Sequence, residues 1–420
     1  MSETQSPAEE TITVVGLGYI GLPTAVVLVN SGFTVHGVDI SPRTVDAVKT
    51  KKLPFHEPNL QTMLETAVDS GRLSVSGEVD SSDIYIIAVP TPALADHSPD
   101  LTAVNAAVDA IMPELSGGEL VIIESTIPPG TVQSVSERIR AGRPDLDGGS
   151  AKPVLFAHVP ERVLPGKIMQ EIRENNRIIG GLTPEATDKA MGVYSRFCSG
   201  KIYQTDATTA ELCKLAENSF RDVNIAFANE LSMICDGLGT NVWELIRLAN
   251  MHPRVNILKP GVGVGGHCIA VDPWFIVAAD ESNSRLIKTA REVNDSKPFW
   301  VTERILDELD KHRTATVIVL GLTFKPDVDD VREAPAVTIV EALARSTAVD
   351  HILVVDPNLS ALPPRLRDLP AVELRDLDDA LAHDGVICLA VAHREFMSLP
   401  LHQLAGRGLV DACGLNNPTG

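Results

Sequence analysis

A thiol and a carboxylate follow a glycine-rich stretch in the second half of the chain, where Gly261 to Asp272 reads G-V-G-V-G-G-H-C-I-A-V-D. The two groups that can do covalent or acid–base chemistry are Cys268 and Asp272. Glycines lack a Cβ and let a backbone approach a ligand closely, so a nucleophile directly behind them indicates an enzyme. The alternative is that Cys268 is a small residue buried for packing.

A second glycine motif, G-L-G-Y-I-G at residues 16–21, follows the apolar run Thr11 to Val15. The run predicts a strand, residues 22–29 predict a helix, and a second strand ends at Asp39. This order predicts a dinucleotide site, in which the helix N-terminus stabilises a pyrophosphate and the acid binds ribose hydroxyls. Asp39 would repel a 2′-phosphate, which favours NAD over NADP, although Arg43 weakens that exclusion.

An NAD site and a cysteine together restrict the chemistry. Oxidation of an alcohol to an aldehyde needs no nucleophile. Oxidation of the aldehyde does, because hydride can leave only from a tetrahedral adduct, here a thiohemiacetal, which gives a thioester that water cleaves. His267 and Cys268 have no partner cluster with the spacing of metal ligands, so we predict no metal site. The pattern predicts oxidation of an alcohol to an acid.

Three polar residues, Lys214, Asn218 and Arg221, are spaced i, i+4 and i+7 in a stretch that reads as one long helix from Asp206 to Asp236. The spacing puts them on one helix face. That face either binds an anion or substrate, or it is an outer, solvated face, and the pattern leaves both interpretations open. Further along, Ser284 to His312 also reads as helical, with an interruption predicted at Pro298.

Polar residues also follow predicted strands where a doubly wound sheet has its ligand crevice. Thr91 and Thr126 are candidate cofactor contacts, and the alternative is that each hydroxyl caps the next helix. Glu161 and Arg162 follow the strand Val154 to Ala157, and a charged pair on a loop is usually solvated.

The last part of the chain repeats the alternation of strands and helices without a G-x-G-x-x-G motif. Thr316 to Gly321 predicts its first strand, and Lys325 follows where a phosphate could be held. The sequence predicts an α/β fold with two Rossmann-like, doubly wound parallel-sheet domains joined by a central helical region. The expected divisions are an NAD-binding domain at 11–205, a helical dimerisation and active-site region at 206–312, and a ligand-binding domain at 313–420.

Composition and charge exclude several classes of protein. A formal net charge of −20 over 420 residues argues against binding to nucleic acid or anionic membranes. No run approaches the roughly 18 uninterrupted apolar residues of a membrane helix. Met1 to Glu10 lacks the regions of a secretory signal and reads as a disordered tail. Six cysteines without a C-x-x-C pair fit a reducing compartment, so a cytoplasmic protein is expected.

Four motifs resemble those of one family: GLGYIGLP at 16–23, HPRVNIL at 252–258, GVGGHCIAVDPW at 263–274 and FKPDVDDVR at 324–332. From Thr11 onward the chain resembles the nucleotide-sugar 6-dehydrogenases, and among them most the branch that acts on UDP-N-acetyl-D-mannosamine. The resemblance implies a four-electron oxidation of the sugar C6 alcohol to a carboxylate with two NAD, for surface polysaccharide or glycan precursor synthesis. It also implies a homodimer or a higher homo-oligomer.

The resemblance also implies roles for individual residues. Cys268 would be the nucleophile, Lys214 an acid/base or oxyanion-stabilising group, and Asn218 an oxyanion donor. Asp272 and Glu161 would assist proton transfer or the hydrolytic water. The UDP-sugar would be contacted by Arg162, Val163, Lys214, Asn218, Arg221, His252, Arg254, Gly261 and Lys325, with the basic loop at 252–254 expected to reach into a neighbouring subunit. The cofactor would be contacted by Gly16, Gly18, Tyr19, Ile20, Gly21, Asp39, Arg43, Thr91, Thr126 and Arg332.

Two related activities and one different class of protein are the alternatives. UDP-N-acetylglucosamine and UDP-glucose 6-dehydrogenases share the chemistry. The UDP-glucose enzymes have serine before the cysteine and lysine before the aspartate, whereas His267 and Val271 stand here, which favours an N-acetyl sugar. A departure from the family pattern is Val262, where proline is expected. A non-enzymatic NAD-binding regulator would lack the nucleophile and its partners on the long helix, and these are present.

Overall fold

The computed structural model describes residues 10–55, 57–146, 152–164, 166–400, 404 and 406–415. The predicted disordered tail lies almost wholly outside these ranges. The chain divides into two compact units, Met1–Ala216 and Glu217–Gly420, and the division falls within a single long helix. The three-part division at residues 205 and 312 stays a prediction.

An eight-stranded sheet forms the centre of the first unit. Its strands in chain order are β1 (Thr11–Val15), β2 (Thr34–Val38), β3 (Leu73–Ser76), β4 (Ile84–Ile87), β5 (Leu120–Ile123), β6 (Leu155–His158), β7 (Arg177–Gly181) and β8 (Ile202–Asp206). Across the sheet they lie in the order β3-β2-β1-β4-β5-β6-β7-β8. The first six strands are parallel in the doubly wound order that the sequence predicts. The antiparallel pairing of β6 with β7 departs from a purely parallel sheet.

Helices cover both faces of this sheet. They are α1 (Gly21–Asn30), α2 (Pro42–Lys49), α3 (Leu60–Asp69), α4 (Thr102–Ile111), α5 (Thr131–Gly142), α6 (Ile168–Glu174) and α7 (Pro184–Tyr194). Successive strand side chains point to opposite faces, so Val14 packs in the core with Leu28 of α1, whereas Val15 packs in the core with Val104 of α4. Strands β4 and β5 are buried along their whole length, as expected for a sheet covered on both faces.

Four helices follow: α8 (Ala207–Leu238), α9 (Val242–Ala249), α10 (Asp272–Ala279) and α11 (Arg285–His312). The predicted interruption of α11 at Pro298 is wrong, because the helix runs through this residue. Proline leaves the carbonyl four residues earlier without its amide partner. That carbonyl, of Asn294, faces Gly263, where a Cβ would lie 3.1 Å away. Lys297, Pro298 and Val301 are buried, so packing outweighs the local preference for a break.

A five-stranded, all-parallel sheet forms the centre of the second unit. Its strands are β9 (Thr316–Leu320), β10 (His351–Val355), β11 (Val372–Leu374), β12 (Val386–Leu389) and β13 (Leu409–Asp411), in the order β11-β10-β9-β12-β13. The remaining helices are α12 (Pro335–Ala344), α13 (Pro364–Arg367), α14 (Leu377–Ala382) and α15 (Arg394–Met397). Helices α11, α12 and α13 pack on one face, and α14 and α15 pack on the other. Within the described ranges, no helix has the length and apolarity to cross a bilayer.

Candidate active site

The turn after β1 has the geometry that a dinucleotide needs. Gly16 has φ +95°, and a Cβ there would lie 2.5 Å from the Ala88 carbonyl oxygen. A Cβ at Gly21 would lie 1.8 Å from the Gly16 carbonyl oxygen. Both positions therefore exclude any side chain and let α1 begin directly against the turn. A Cβ at Gly18 would meet nothing within 4 Å, so this backbone faces open space that a pyrophosphate can enter.

Asp39 lies at the carboxyl end of β2 and faces this turn. Its Oδ2 accepts a hydrogen bond from the Leu17 amide at 2.8 Å, which fixes the carboxylate next to the glycines. Tyr19 is exposed and Ile20 is half-buried in the residues that lead into α1, and Arg43 is exposed on α2. The residues present thus fit a dinucleotide whose ribose hydroxyls bind Asp39.

Thr91 and Thr126 join the loops that follow β4 and β5. The Thr91 hydroxyl donates to the Thr126 carbonyl oxygen at 2.6 Å. The alternative that each hydroxyl caps the next helix is wrong, because the N-cap residues of α4 and α5 are Leu101 and Gly130. The bond instead fixes two adjacent loops at the carboxyl edge of the sheet.

Glu161 is buried, so the expectation of a solvated loop pair is wrong for it. Its side chain is 6% exposed, and Oε2 accepts from Arg177 Nη2 at 2.9 Å. The sequence could not reveal this pairing because Arg177 arrives from β7, 16 residues later. The Arg162 amide donates to Glu161 Oε1 at 2.8 Å, and the Arg162 guanidinium donates to the Asn176 carbonyl oxygen. Val163 is half-buried against the core of the first unit.

Glu124 is a buried carboxyl group that sequence reasoning missed. It receives hydrogen bonds from the Tyr194 hydroxyl at 2.6 Å and the Thr24 hydroxyl at 3.1 Å. Burial raises the pKa of Glu124 to about 7, and the charge of Glu161 adds to the rise, whereas Arg177 and the two hydrogen bonds oppose it. Its position directly after the fully buried strand β5 is the signal that could have revealed it.

His158, at the end of β6, is a second group that the sequence did not single out. It is fully buried, its Nδ1 contacts the Ile123 carbonyl oxygen at 2.8 Å, and its Nε2 has no hydrogen-bond partner among the described residues. Burial lowers the pKa of His158 to about 3 against the effect of the Ile123 bond, and the charge of Lys214 adds to the lowering. His158 is therefore neutral, and Lys214, half-buried on α8, lies close enough to influence it.

Three of the four glycines before Cys268 face protein. A Cβ at Gly263 would lie 3.0 Å from Pro335 Cβ, and one at Gly265 would lie 2.3 Å from the Glu333 carbonyl oxygen. A Cβ at Gly266 would lie 2.9 Å from the Phe324 ring. Packing against the segment after β9 already requires these three glycines, so the expectation that they bring the backbone to a ligand stays a prediction. A Cβ at Gly261 would meet nothing within 4 Å.

Polar bonds within the second unit fix α8 against α11 and the glycine loop. Arg291 Nη1 and Asp222 Oδ1 form a buried ion pair at 2.6 Å. The Asn229 side chain donates to Asn294 Oδ1 at 2.9 Å and accepts from the Gly261 amide at 2.8 Å. A buried charge that loses its partner is strongly destabilising, so a shift of α8 that broke the Arg291–Asp222 pair would be unfavourable. These contacts therefore fix the position of this part of α8.

Cys268, Asp272 and Asn218 come together in the second unit. Cys268 is exposed, so the alternative of a buried packing cysteine is wrong, whereas the other five cysteines are buried or half-buried. The Asp272 amide donates to the Cys268 carbonyl oxygen at 2.8 Å, which puts the two residues one helical turn apart at the start of α10. The Asp272 carboxylate is buried and accepts from Asn218 Nδ2 at 2.5 Å. An exposed thiol thus lies beside a fixed carboxylate and amide.

The remaining predicted residues lie on exposed or half-buried surfaces. Arg221, His252 and Arg254 are exposed, and Lys325 is half-buried with Nζ 5.4 Å from the Phe324 ring centroid. Arg332 Nη2 pairs with Asp330 at 2.6 Å. Within the part of the chain that the structure describes, no three His, Cys, Asp or Glu side chains are grouped as metal ligands.

The sequence matches three successive domains of one family. Residues 10–198 match the NAD binding domain of the UDP-glucose/GDP-mannose dehydrogenase family, residues 208–296 match its central domain, and residues 318–415 match its UDP binding domain. The matches include the glycine turn, the region of Cys268 and the segment of Lys325.

Relatives match nearly the whole chain. A UDP-N-acetyl-D-mannosamine dehydrogenase of Escherichia coli K12 is 48% identical over 417 residues, 96% of this chain and 99% of the relative. An NDP-N-acetyl-D-galactosaminuronic acid dehydrogenase of Ralstonia nicotianae is 48% identical over 409 residues, 96% of each chain. The structure of a UDP-N-acetyl-mannosamine dehydrogenase from Staphylococcus aureus superposes with a TM-score of 0.84 and 41% identity, over 96% of this chain and 95% of that one. This chain therefore belongs to the UDP-glucose/GDP-mannose dehydrogenase family, with its NAD-binding domain at residues 10–198.

Proposed function

We propose that this protein oxidises the C6 alcohol of UDP-N-acetyl-D-mannosamine to the carboxylate with NAD, in the synthesis of a surface polysaccharide or glycan precursor. The observation that carries the proposal is the exposed thiol of Cys268, one helical turn from a buried carboxylate, Asp272, that is bound by Asn218. A thiol in this setting suits the oxidation of an aldehyde, which an alcohol dehydrogenase without a nucleophile cannot complete.

The proposed chemistry has two oxidations and one hydrolysis. The first oxidation converts the C6 alcohol to an aldehyde, and Cys268 Sγ then forms a bond to the aldehyde carbon to give a thiohemiacetal. Loss of hydride from this adduct gives a thioester, and water breaks the carbon–sulfur bond to release the acid and regenerate the thiol. NAD, when bound at residues 16–21 and Asp39, supplies the hydride acceptor, so each sugar consumes two NAD and one water.

The neighbours of Cys268 have proposed roles that fit their contacts. Asn218 uses one amide hydrogen to bind Asp272, which leaves the other for an oxyanion on the substrate. Lys214 would transfer protons or stabilise the same oxyanion, while Asp272 and Glu161 would assist the water that cleaves the thioester. The buried ion pair with Arg177 holds the Glu161 carboxylate in a fixed position.

The substrate and cofactor contacts are proposed on the same basis. The exposed cations Arg221 and Arg254 suit an anionic nucleotide, and the match of residues 318–415 to a UDP binding domain supports a diphosphate contact at Lys325. Further substrate contacts would come from Arg162, Val163, His252 and Gly261. Further cofactor contacts would come from Tyr19, Ile20, Arg43, Thr91, Thr126 and Arg332.

A homo-oligomer is proposed because an apolar stripe on α8 is exposed. The stripe consists of Phe220, Phe227, Ile234 and Leu238, which are 71%, 53%, 48% and 73% exposed. The first three are spaced seven residues apart and therefore share one helix face. Exposed contiguous apolar surface of this kind marks a protein interface, and a second copy of the chain carries the same stripe, as a two-fold interface requires.

A reducing cytoplasm is the proposed location. The proposed nucleophile acts as a thiolate and would be lost to oxidation in a disulfide-forming compartment. The six cysteines form no disulfide bond with one another in the structure, and Cys235 and Cys388 are buried.

The test is the stoichiometry of NADH release from UDP-N-acetyl-D-mannosamine. We expect the wild-type protein to release two NADH per sugar and Cys268→Ala to form no acid while it still binds the nucleotide sugar. Cys198→Ala, a half-buried cysteine outside the proposed site, is the matched control and should retain full turnover. Release of two NADH at the normal rate by Cys268→Ala would show the thioester route to be wrong.

A second candidate substrate is the galacto isomer, UDP-N-acetyl-D-galactosamine. The observation that favours it is the relative named NDP-N-acetyl-D-galactosaminuronic acid dehydrogenase, which has the same 48% identity as the mannosamine enzyme. A panel of UDP-sugars with manno, gluco and galacto N-acetyl groups, together with UDP-glucose, separates the candidates by kcat/KM. Faster turnover of any other sugar than the manno epimer would contradict the proposed substrate.

A further inference from the structure

His393 is a fully buried histidine in the second unit that the proposed chemistry does not use. It directly precedes α15, and its ring packs edge-on against Phe396 with 5.3 Å between the ring centroids. Its two ring nitrogens contact polar groups from the loop after β9 and from the end of β10. A buried imidazole with this many partners must satisfy each of them with the correct tautomer.

The tautomer of His393 follows from its donors. The Asp327 backbone amide, which can only donate, points to Nδ1 at 3.0 Å, and the Asn358 side-chain amide lies 3.1 Å from the same atom. Nδ1 is therefore an acceptor, and the proton is on Nε2. Nε2 faces Asp356 Oδ2 at 3.2 Å and Thr323 Oγ1 at 3.3 Å, both of which can accept from it. The neutral ring thus cross-links two segments.

The segment that His393 holds is residues 322–327. At its start, Asp356 Oδ2 accepts from the Leu322 amide at 2.8 Å and from the Thr323 amide at 3.2 Å, so His393 reaches this end through Asp356. At its other end the Asp327 amide binds His393 directly. Between the two ends, the Thr323 hydroxyl donates to the Lys325 carbonyl oxygen at 3.0 Å. The backbone on both sides of Lys325 is therefore tied to one ring.

The end of this segment is in a conformation that needs such support. Asp327 has φ +59°, a left-handed conformation that is strained for a residue with a Cβ. Its carboxylate accepts from the Arg394 amide at 3.2 Å and from Arg394 Nε at 2.8 Å. Arg394 is the residue after His393, so the start of α15 holds Asp327 by its amide and its carboxylate together. Strained backbone of this kind persists only where its surroundings determine it.

We propose that His393 is a positioning residue for the nucleotide end of the substrate. By fixing residues 322–327 through Asp327 and Asp356, it presents Lys325 to the diphosphate of the UDP-sugar. The inference rests on the proposed function, in which Lys325 binds that diphosphate. Loss of the ring contacts would let Lys325 adopt many positions, so binding of UDP would weaken while the chemistry at Cys268 would change less.

The experiment measures UDP affinity by calorimetry, together with kcat and KM for the UDP-sugar, on the full-length protein. His393→Asn keeps an acceptor near Nδ1 but loses the Nε2 donor, and His393→Ala loses both. We expect UDP affinity to fall about tenfold in His393→Asn and further in His393→Ala, as the loss of one or two buried hydrogen bonds implies. KM should rise in parallel, and kcat should change by less than about threefold. His351→Asn, at an exposed position of β10, should match the wild type.

Lys325→Ala separates this proposal from the function on which it rests. UDP affinity should fall in Lys325→Ala, and adding His393→Asn to it should change the affinity by less than about twofold, because the two residues act through one contact. Unchanged affinity in Lys325→Ala would overturn the role of Lys325 and this proposal with it. Weaker binding in Lys325→Ala but wild-type binding in both His393 variants would overturn the proposal alone. An equal loss of NAD affinity in the His393 variants would also overturn it, because that pattern indicates general destabilisation.

Discussion

Two carboxyl groups and one guanidinium share a buried region of the first unit. Arg177 pairs with Glu161 at 2.9 Å, and its guanidinium carbon lies 5.1 Å from the ring centroid of Tyr194. One cation cannot compensate two buried anions, and a carboxyl group without a cationic partner keeps its proton more easily. Glu124 is the group in this position, because it accepts from the hydroxyls of Tyr194 and Thr24 while Arg177 donates to Glu161. Burial without a cation of its own thus raises the pKa of Glu124 to about 7, so this carboxyl group is partly protonated at neutral pH.

We expect Glu124→Gln to remove a pH dependence of the free energy of unfolding. Burial raises the pKa of Glu124 from 4.5 to about 7, so between these pH values the folded protein keeps a proton that the unfolded chain has released. Wild-type stability therefore falls as pH rises through this window, by at most about 3 kcal/mol. Urea unfolding at several pH values across the window measures it. Glu137→Gln, at an exposed glutamate, should keep the wild-type slope, and the same slope in Glu124→Gln would contradict the prediction.

The loop that carries Cys268 depends on glycines for contact with its own unit. In Gly266→Ala, the backbone at φ +84° is strained and the new Cβ lies 2.9 Å from the Phe324 ring. We expect the free energy of unfolding to fall by about 1–3 kcal/mol, and kcat to fall because the loop before the thiol must move. Gly192→Ala on α7 has open space around its Cβ and should gain up to about 1 kcal/mol. Urea titrations compare the two, and an unchanged midpoint in Gly266→Ala would show that the loop tolerates the side chain.

Elements whose signals are local could be predicted from the sequence. The strands β1, β2 and β9 and the acid Asp39 follow from hydrophobic period and turn residues within a few positions of one another. The continuity of α11 through Pro298 could not be predicted, because burial of the surrounding turn decides it. What the glycines before Cys268 contact could not be predicted either. A sequence indicates where a Cβ is absent, but it does not indicate whether protein or ligand occupies the space.

The burial and the contacts of residues with distant partners escaped prediction for a related reason. Glu161 is buried by an arginine from another strand, and His393 has partners that lie between 35 and 70 residues away along the chain. Neither residue stands in a distinctive local pattern. Cys268, the proposed nucleophile, could be singled out because its glycines and its acid lie within the same short stretch, whereas the partners of Glu161 and His393 could not.

Both units use the same local design at the first strand of their sheets. Gly16 and Gly321 have φ +95° and +96°. The amide of each donates at 2.8 Å to the carbonyl oxygen of the last residue of the neighbouring strand, β2 in the first unit and β10 in the second. In each unit an acid then follows that strand, Asp39 in the first and Asp356 in the second, and accepts from the amide after the glycine at 2.8 Å.

The two acids differ in what else contacts them. Asp356 Oδ2 also meets the Nε2 of the buried His393, so this carboxylate is used to fix the backbone beside Lys325. Asp39 is half-buried next to the open backbone of Gly18, where a ligand can reach it. One fold thus supports two kinds of nucleotide contact. In the proposed function, Asp39 of the first unit binds a ribose. In the second unit Asp356 is buried, and Lys325 is the proposed contact with the diphosphate.

At the scale of the assembly, the apolar stripe on α8 gives a direct test of the proposed homo-oligomer. Phe227→Glu and Ile234→Glu place charges in the centre of the stripe, and a buried, unpaired charge opposes association strongly. We expect light scattering to give a multiple of 45.0 kDa for the wild type and a smaller mass for these variants. Leu94→Glu, at an exposed apolar residue of the first unit, should keep the wild-type mass. A wild-type mass near that of one chain, or variants that assemble like the wild type, would mean that the stripe is not an interface between copies.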